Sequence, residues 1–146
     1  MTFFPNLYQN LFFVVFQKAP DPHVTANEIV INFFDIGRLR SFPHTKDVVV
    51  VVDGSKSIGD WHFERGRRAL KNMMELEGES KNDTRYAAVT FSDTASVKFH
   101  FLPCTESANE IMKIPFDNGN TNTQAGLTEA KKLFDDPISG KYPYRR

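Results

Sequence analysis

The clearest hydrophobic pattern in this chain is a run of five valines, Val48 to Val52, followed directly by Asp53. The run has no alternation of apolar and polar residues, so both of its faces must be buried. A central strand of a parallel sheet meets that requirement better than an antiparallel edge strand. Since ligands of open α/β sheets bind at the carboxyl ends of the strands, Asp53 lies where a site is expected.

The next pattern is helical. Apolar residues recur every three or four positions from Phe63 to Met74, with charged residues between them. This spacing predicts an amphipathic helix from Gly59 or Asp60 to Glu77, with Asp60 as its N-cap. Trp61, at the start of this helix, is expected to be a partly buried core aromatic rather than a surface anchor for a ligand.

Shorter patterns predict the remaining elements. They are a strand at 85–91, a turn at 92–94, an edge strand at 95–101, a short helix at 107–113, a loop at 116–120, and a last helix that opens with Thr121 and Thr123 and ends near Phe134. In the edge strand, Val97, Phe99 and Phe101 alternate with polar residues. His100, one of those polar residues, is expected to be a solvated surface residue rather than a metal ligand.

Residues 1–46 are predicted to be an N-terminal extension of uncertain structure, and residues 47–146 to form the domain. Leu11 to Phe16 is apolar, but it is far shorter than the roughly 20 residues that span a bilayer. It also makes a poor signal peptide, because no Lys or Arg precedes it. Glu28 to Phe34 has the composition of a β segment, which would add an edge strand or belong to a neighbouring domain.

Composition narrows the classes of partner. The chain has 18 basic and 18 acidic residues, so its formal net charge is zero and nothing favours nucleic acid or an anionic membrane. The single cysteine, Cys104, cannot form an internal disulfide and is expected to be a partly buried thiol.

Asp53, Ser55 and Ser57 place one carboxylate and two hydroxyls at alternate positions of a turn. Three hard oxygens with no neighbouring Cys or His suit Mg²⁺, Mn²⁺ or Ca²⁺ better than zinc. Thr121 and Thr123 also carry hydroxyls, for which helix capping is the simpler interpretation from sequence order alone.

The segment from Asp53 to Ser57, Asp-Gly-Ser-Lys-Ser, and the segment from Gly119 to Thr123, Gly-Asn-Thr-Asn-Thr, resemble the metal-ion-dependent adhesion site of von Willebrand factor type A domains. The valine strand before the first segment and the helix after the second are also similar to that family. The resemblance runs from about residue 47 to about residue 134. It implies an α/β fold with an open, mostly parallel, doubly wound sheet and flanking helices.

The resemblance also implies roles for individual residues. Ser55 and Ser57 would bind a divalent cation through their hydroxyls, and Thr121 would bind it directly or through water. Asp53 would act through bridging waters and by orienting the hydroxyls, while Thr123 remains the helix cap. The implied cofactor is Mg²⁺, or Mn²⁺ or Ca²⁺ in its place. The implied function is non-catalytic adhesion, in which a protein partner offers an acidic side chain to the metal.

The sequence departs from the family pattern in one respect. The family site has a further Asp at the end of a later hydrophobic strand, and no such strand follows the last predicted helix. Asp135 and Asp136 do not replace it, because they follow a helix end directly and are expected to lie in a solvated turn. We therefore expect a domain that is incomplete at its C-terminus, either as a fragment or with residues 1–46 completing the fold.

Two alternatives to metal-dependent adhesion stay open: an intracellular assembly scaffold of the same family, and a truncated product with no working metal site. Enzymes are disfavoured, because Val51 occupies the position of the nucleophile in haloacid-dehalogenase phosphatases and no Gly-x-Ser-x-Gly motif of serine hydrolases is present. Asn82 begins an N-glycosylation sequon. The family resemblance, together with this sequon, favours an extracellular or secreted setting with a matrix or cell-surface partner, and a cytoplasmic location is the alternative.

Overall fold

The computed structural model describes the side chains of His23 and of residues 47–79 and 84–136, and only the backbone of residues 2–6, 11–16 and 46. In chain order, the elements are β1 (Thr2–Asn6), β2 (Leu11–Phe16), β3 (Lys46–Asp53), α1 (Asp60–Gly78), β4 (Thr84–Phe91), β5 (Ala95–Pro103), α2 (Cys104–Ile111) and α3 (Thr123–Asp135). Among the described residues, no helix is both long enough and apolar enough to cross a lipid bilayer.

The five strands form one sheet in the order β1-β2-β3-β4-β5, with β3 at its centre. Strands β2 and β4 run parallel to β3, and the two outer pairs are antiparallel. The predicted buried central strand is confirmed, because no valine from Val48 to Val52 is more than 2% exposed. Strand β2 is the apolar N-terminal segment that is too short to span a bilayer, and it covers the side of β3 that faces away from β4.

Successive residues of β3 point to opposite sides of the sheet, and helices cover both of these faces. The even-numbered valines pack in one core with Leu70 of α1 and Ile111 of α2. The odd-numbered valines pack in a second core with Ala130 and Leu133 of α3. The α/β fold with helices on both faces is thereby confirmed, in a mixed sheet in which two of the described strand pairs are parallel.

Strand β5 lies at the edge of the sheet, as predicted, and His100 is exposed. The predicted alternation is confirmed, since Lys98 and His100 are exposed whereas Val97, Phe99 and Phe101 are not, but the three apolar residues do not all point to one face of the sheet. The register with β4 shifts twice, around Ala88, and such β-bulges change which face a residue points to. As a result Phe99 packs in the core beneath α1, whereas Val97 and Phe101 pack on the side of α3.

Both predicted helix caps are wrong. The N-cap of α1 is Gly59, and Asp60 is the first helical residue, where its charge still favours the positive end of the helix dipole. The N-cap of α3 is Asn122, whose side-chain oxygen accepts a hydrogen bond from the Ala125 N–H at 3.1 Å. Thr123 therefore lies inside the first turn.

The predicted burial of Trp61 is also wrong, since this side chain is 62% exposed. It lies two positions before the buried Phe63, which is about 200° around the helix and so on the outer face. The Arg65 guanidinium lies over its ring, 4.5 Å from the centroid. Cys104 is buried as predicted, and helix α2 begins there, three residues before its predicted start at residue 107. The sequon at Asn82 and the β segment at 28–34 lie outside the described residues.

Candidate metal centre

Three hydroxyls from two distant segments meet at the carboxyl end of β3. The distance between Ser55 Oγ and Ser57 Oγ is 2.9 Å, that between Ser57 Oγ and Thr121 Oγ1 is 3.1 Å, and that between Thr121 Oγ1 and Ser55 Oγ is 2.9 Å. Ser55 is fully buried, and the other two residues are exposed. The hydroxyls thus form a triangle that is closed on the protein side and open to solvent.

Backbone hydrogen bonds bring the two segments together. The Gly54 N–H donates to the Phe91 carbonyl at the end of β4, at 2.8 Å. The Asn118 N–H donates to the Gly54 carbonyl at 2.9 Å, and the Lys56 N–H donates to the Gly119 carbonyl at 2.8 Å. The loop before α3 is therefore joined to the loop after β3 by two hydrogen bonds, at Gly54 and at Lys56, which places Thr121 beside the serines.

Asp53 lies beneath the triangle and is 4% exposed. One of its carboxylate oxygens accepts a hydrogen bond from the Ser55 N–H at 2.9 Å. This is the local bond by which an aspartate fixes the backbone two residues later in a turn. Asp53 therefore sets the direction in which Ser55 presents its hydroxyl.

The spacing of the hydroxyls fits a small divalent cation. In an octahedron with metal–oxygen distances of about 2.0–2.1 Å, as for Mg²⁺, neighbouring oxygens are about 2.8–3.0 Å apart, whereas Ca²⁺ needs wider spacing. Sides of 2.9, 2.9 and 3.1 Å match one face of the smaller octahedron, and the same lengths are ordinary for hydrogen bonds between the hydroxyls themselves. Among the described residues no three His, Cys, Asp or Glu side chains cluster to hold a metal ion.

Polar residues that the sequence pattern does not single out as functional surround the loop before α3. Asp93, in the turn between β4 and β5, accepts hydrogen bonds from the Asn120 backbone N–H at 3.2 Å and from its side-chain amide at 2.6 Å. The Ser92 hydroxyl donates to the Asp117 carboxylate. One feature of the sequence points to Asp93: it follows β4, and the carboxyl ends of the parallel strands β4 and β3 lie at the same edge of the sheet.

The acidic residues at the end of α3 lie away from the site. Asp135 ends a helix of 13 residues that begins two residues after Thr121, so it is about 18 Å along the helix axis from the first turn. Its carboxylate contacts Lys131 in the same helix. Asp136 is the C-cap residue.

Comparison with known proteins identifies the family. The sequence profile described as the von Willebrand factor type A domain matches residues 47–145. The chain is 26% identical over 148 residues to von Willebrand factor A domain-containing protein 2 of Mus musculus, and 27% identical over 119 residues to vitrin of Homo sapiens. These alignments cover 95% and 77% of this chain but 18% of each relative, so the chain spans less than a fifth of their length. Since the profile covers well over half of the chain, and the α/β fold agrees with it, the chain belongs to the von Willebrand factor type A domain family.

Proposed function

We propose that this chain binds Mg²⁺ at the hydroxyls of Ser55, Ser57 and Thr121 and through it holds an acidic side chain of a protein partner. Domains of this family are in general non-enzymatic modules that bind other proteins. The observation that carries the proposal is the hydroxyl triangle, whose sides of 2.9, 3.1 and 2.9 Å suit adjacent ligands of Mg²⁺. Mn²⁺ has similar requirements, and Ca²⁺ fits the spacing less well.

The chemistry of the donors favours an acidic partner. Hydroxyls are neutral, so a bound Mg²⁺ would keep most of its positive charge and supply an electrophilic centre for an incoming carboxylate. Asp53 is buried behind the hydroxyls and orients Ser55 through the backbone. Lys56 is exposed in the middle of the motif and adds a positive charge at the rim, which also favours an acidic side chain.

We propose no catalytic role and an extracellular or secreted setting. Val51, at the position where haloacid-dehalogenase phosphatases carry their nucleophile, is a fully buried valine. The sequon at Asn82 supports passage through the secretory pathway, where a glycan would be added. A matrix or cell-surface protein is then the proposed class of partner.

Calorimetric titration of the full chain with Mg²⁺, and separately with Mn²⁺, tests the metal site. The test variant carries Ser55→Ala and Ser57→Ala, and the matched control is Thr128→Ala, which removes an exposed hydroxyl from α3. Circular dichroism checks that each variant is folded. We expect binding by the parent and the control, and at least tenfold weaker binding by the double variant. A folded parent that binds neither ion, or a folded double variant that binds as well as the parent, would show that the triangle is not a metal site.

A further inference from the structure

We propose that Asp93 is a positioning residue for the metal site: it holds Thr121 in place without contributing an atom to the donor set. The inference rests on the proposed function and extends it. It assigns part of the cation affinity to the turn between β4 and β5, which neither motif of the family resemblance includes.

Thr121 needs such support because its loop has little structure of its own. The loop lies between α2 and α3, and apart from an isolated bridge between Gly119 and Ser55 it contains no strand or helix. Its beginning is held by the hydrogen bond from the Lys56 N–H to the Gly119 carbonyl, and its end by the Asn122 cap of α3. Thr121 lies between these two points and is exposed.

Asp93 holds both sequence neighbours of Thr121. Its Oδ1 accepts hydrogen bonds from the Asn120 side-chain amide at 2.6 Å and from the Asn120 backbone N–H at 3.2 Å. Its backbone carbonyl accepts a hydrogen bond from the Asn122 side-chain amide at 3.3 Å. The bonds to the carboxylate are charge-assisted, which makes them stronger than bonds between neutral groups. Two residues flanking the ligand are therefore fixed to one residue of a different loop.

The close approach of the backbone supports the same interpretation. A Cβ atom on Gly119 would lie 2.5 Å from Asp93 Oδ2 and 3.0 Å from Ser92 Oγ. Asn118, just before it, has a left-handed φ of 61°, which asparagine tolerates better than most residues. The loop is thus bent directly onto the turn that carries Asp93, at a position where only glycine fits without displacement.

The experiment compares two substitutions at one position in the full chain. Asp93→Ala removes the carboxylate that accepts from Asn120 and leaves the backbone carbonyl that accepts from Asn122. Asp93→Asn keeps one acceptor oxygen for the Asn120 N–H and replaces the charged carboxylate by a neutral amide. Thr94→Ala is the control, because it alters an exposed side chain in the same turn. The measurements are the ¹H–¹⁵N heteronuclear NOE of the Asn120 and Thr121 amides in metal-free protein, and the Mg²⁺ dissociation constant by calorimetry.

We expect Asp93→Ala to lower the NOE at Asn120 and Thr121 and to weaken Mg²⁺ binding about tenfold, at the lower end of the range for outer-shell partners of metal ligands because Asp93 is exposed. The Mg²⁺ dissociation constant of Asp93→Asn should stay within about threefold of that of the parent. The dissociation constant of Thr94→Ala should equal that of the parent. An Asp93→Ala protein with unchanged NOE values would overturn the inference. So would an Asp93→Asn protein that keeps the NOE values of the parent but binds Mg²⁺ as weakly as Asp93→Ala, because charge and not position would then set the affinity. If the parent binds no Mg²⁺, the proposed function fails, and the NOE comparison in metal-free protein still decides whether Asp93 holds the loop.

Discussion

Substituting Gly126 by alanine tests how closely α3 packs on the sheet beside the candidate metal centre. Gly126 is buried in the first turns of α3. A Cβ atom there would lie 2.7 Å from Cδ1, 3.0 Å from Cγ and 3.1 Å from Cβ of Phe91, whereas ordinary contact begins at 3.4 Å. The Phe91 ring is 1% exposed and has no solvent to move into. The helix and the strand would therefore have to separate by about 0.7 Å.

Two effects of opposite sign decide the outcome. Alanine is favoured over glycine inside a helix by about 1 kcal/mol. Overpacking a well-filled core costs about 1–3 kcal/mol. Because the overlap at Gly126 is with a buried ring rather than with a flexible side-chain end, we take the middle of that range. The free energy of unfolding should then fall by about 1 kcal/mol in Gly126→Ala.

Urea unfolding followed by circular dichroism measures this change. Thr128→Ala is the matched control, because it makes a favourable helix substitution at an exposed position of α3 and should raise the free energy of unfolding by a few tenths of a kcal/mol. The reasoning is refuted if Gly126→Ala is as stable as the parent or more stable. Because α3 begins two residues after Thr121, the displaced helix should also weaken Mg²⁺ binding.

Two further predictions concern charged side chains of α1. Arg67 donates to the carbonyls of Met112 and Ile114 at 2.8 and 2.6 Å. Arg67→Met, which leaves both carbonyls without this donor, should lower the free energy of unfolding by about 2 kcal/mol in urea, and a loss below about 0.5 kcal/mol would contradict this. Hydrogen bonds from Arg68 and Arg67 lower the pKa of Glu64 below its usual 4.5, against the opposing effect of burial. A carboxyl whose pKa is lowered by folding stabilises the protein above its unfolded pKa and loses that effect as the pH falls through the folded pKa. Glu64→Gln should therefore be less stable than the parent at pH 7, and this difference should shrink as the pH falls below about 4.5. A difference that does not change with pH would contradict the assignment.

Much of the fold could be predicted from local pattern alone. Five adjacent valines leave no polar face, so they demand a central strand, and the spacing from Phe63 to Met74 demands a helix that packs on one side. The hydroxyl-bearing residues could also be identified from the sequence, because Ser55 and Ser57 belong to one short motif and Thr121 belongs to a second. Their metal-binding role stays a prediction.

Other features depend on neighbours that are distant in the chain. Trp61 was expected in the core because aromatic residues are usually buried, although its helical spacing from Phe63 already places it on the outer face of α1. Phe99 packs on the opposite face from Val97 and Phe101 because of β-bulges, and these bulges are defined by the pairing of β5 with β4. In the sequence, β2 is only an isolated apolar segment, and its role in the sheet is defined by the pairing of its backbone with β3.

The sequence by itself therefore determined the family, the α/β class and the two motifs that carry the hydroxyls, because each depends on residues that are close together in the chain. Only the tertiary structure decided that these hydroxyls lie within about 3 Å of one another, and that Asp93 holds the loop that carries Thr121. Both depend on hydrogen bonds between segments that are tens of residues apart, and the geometry of such bonds is set by the packing of strands and helices between them.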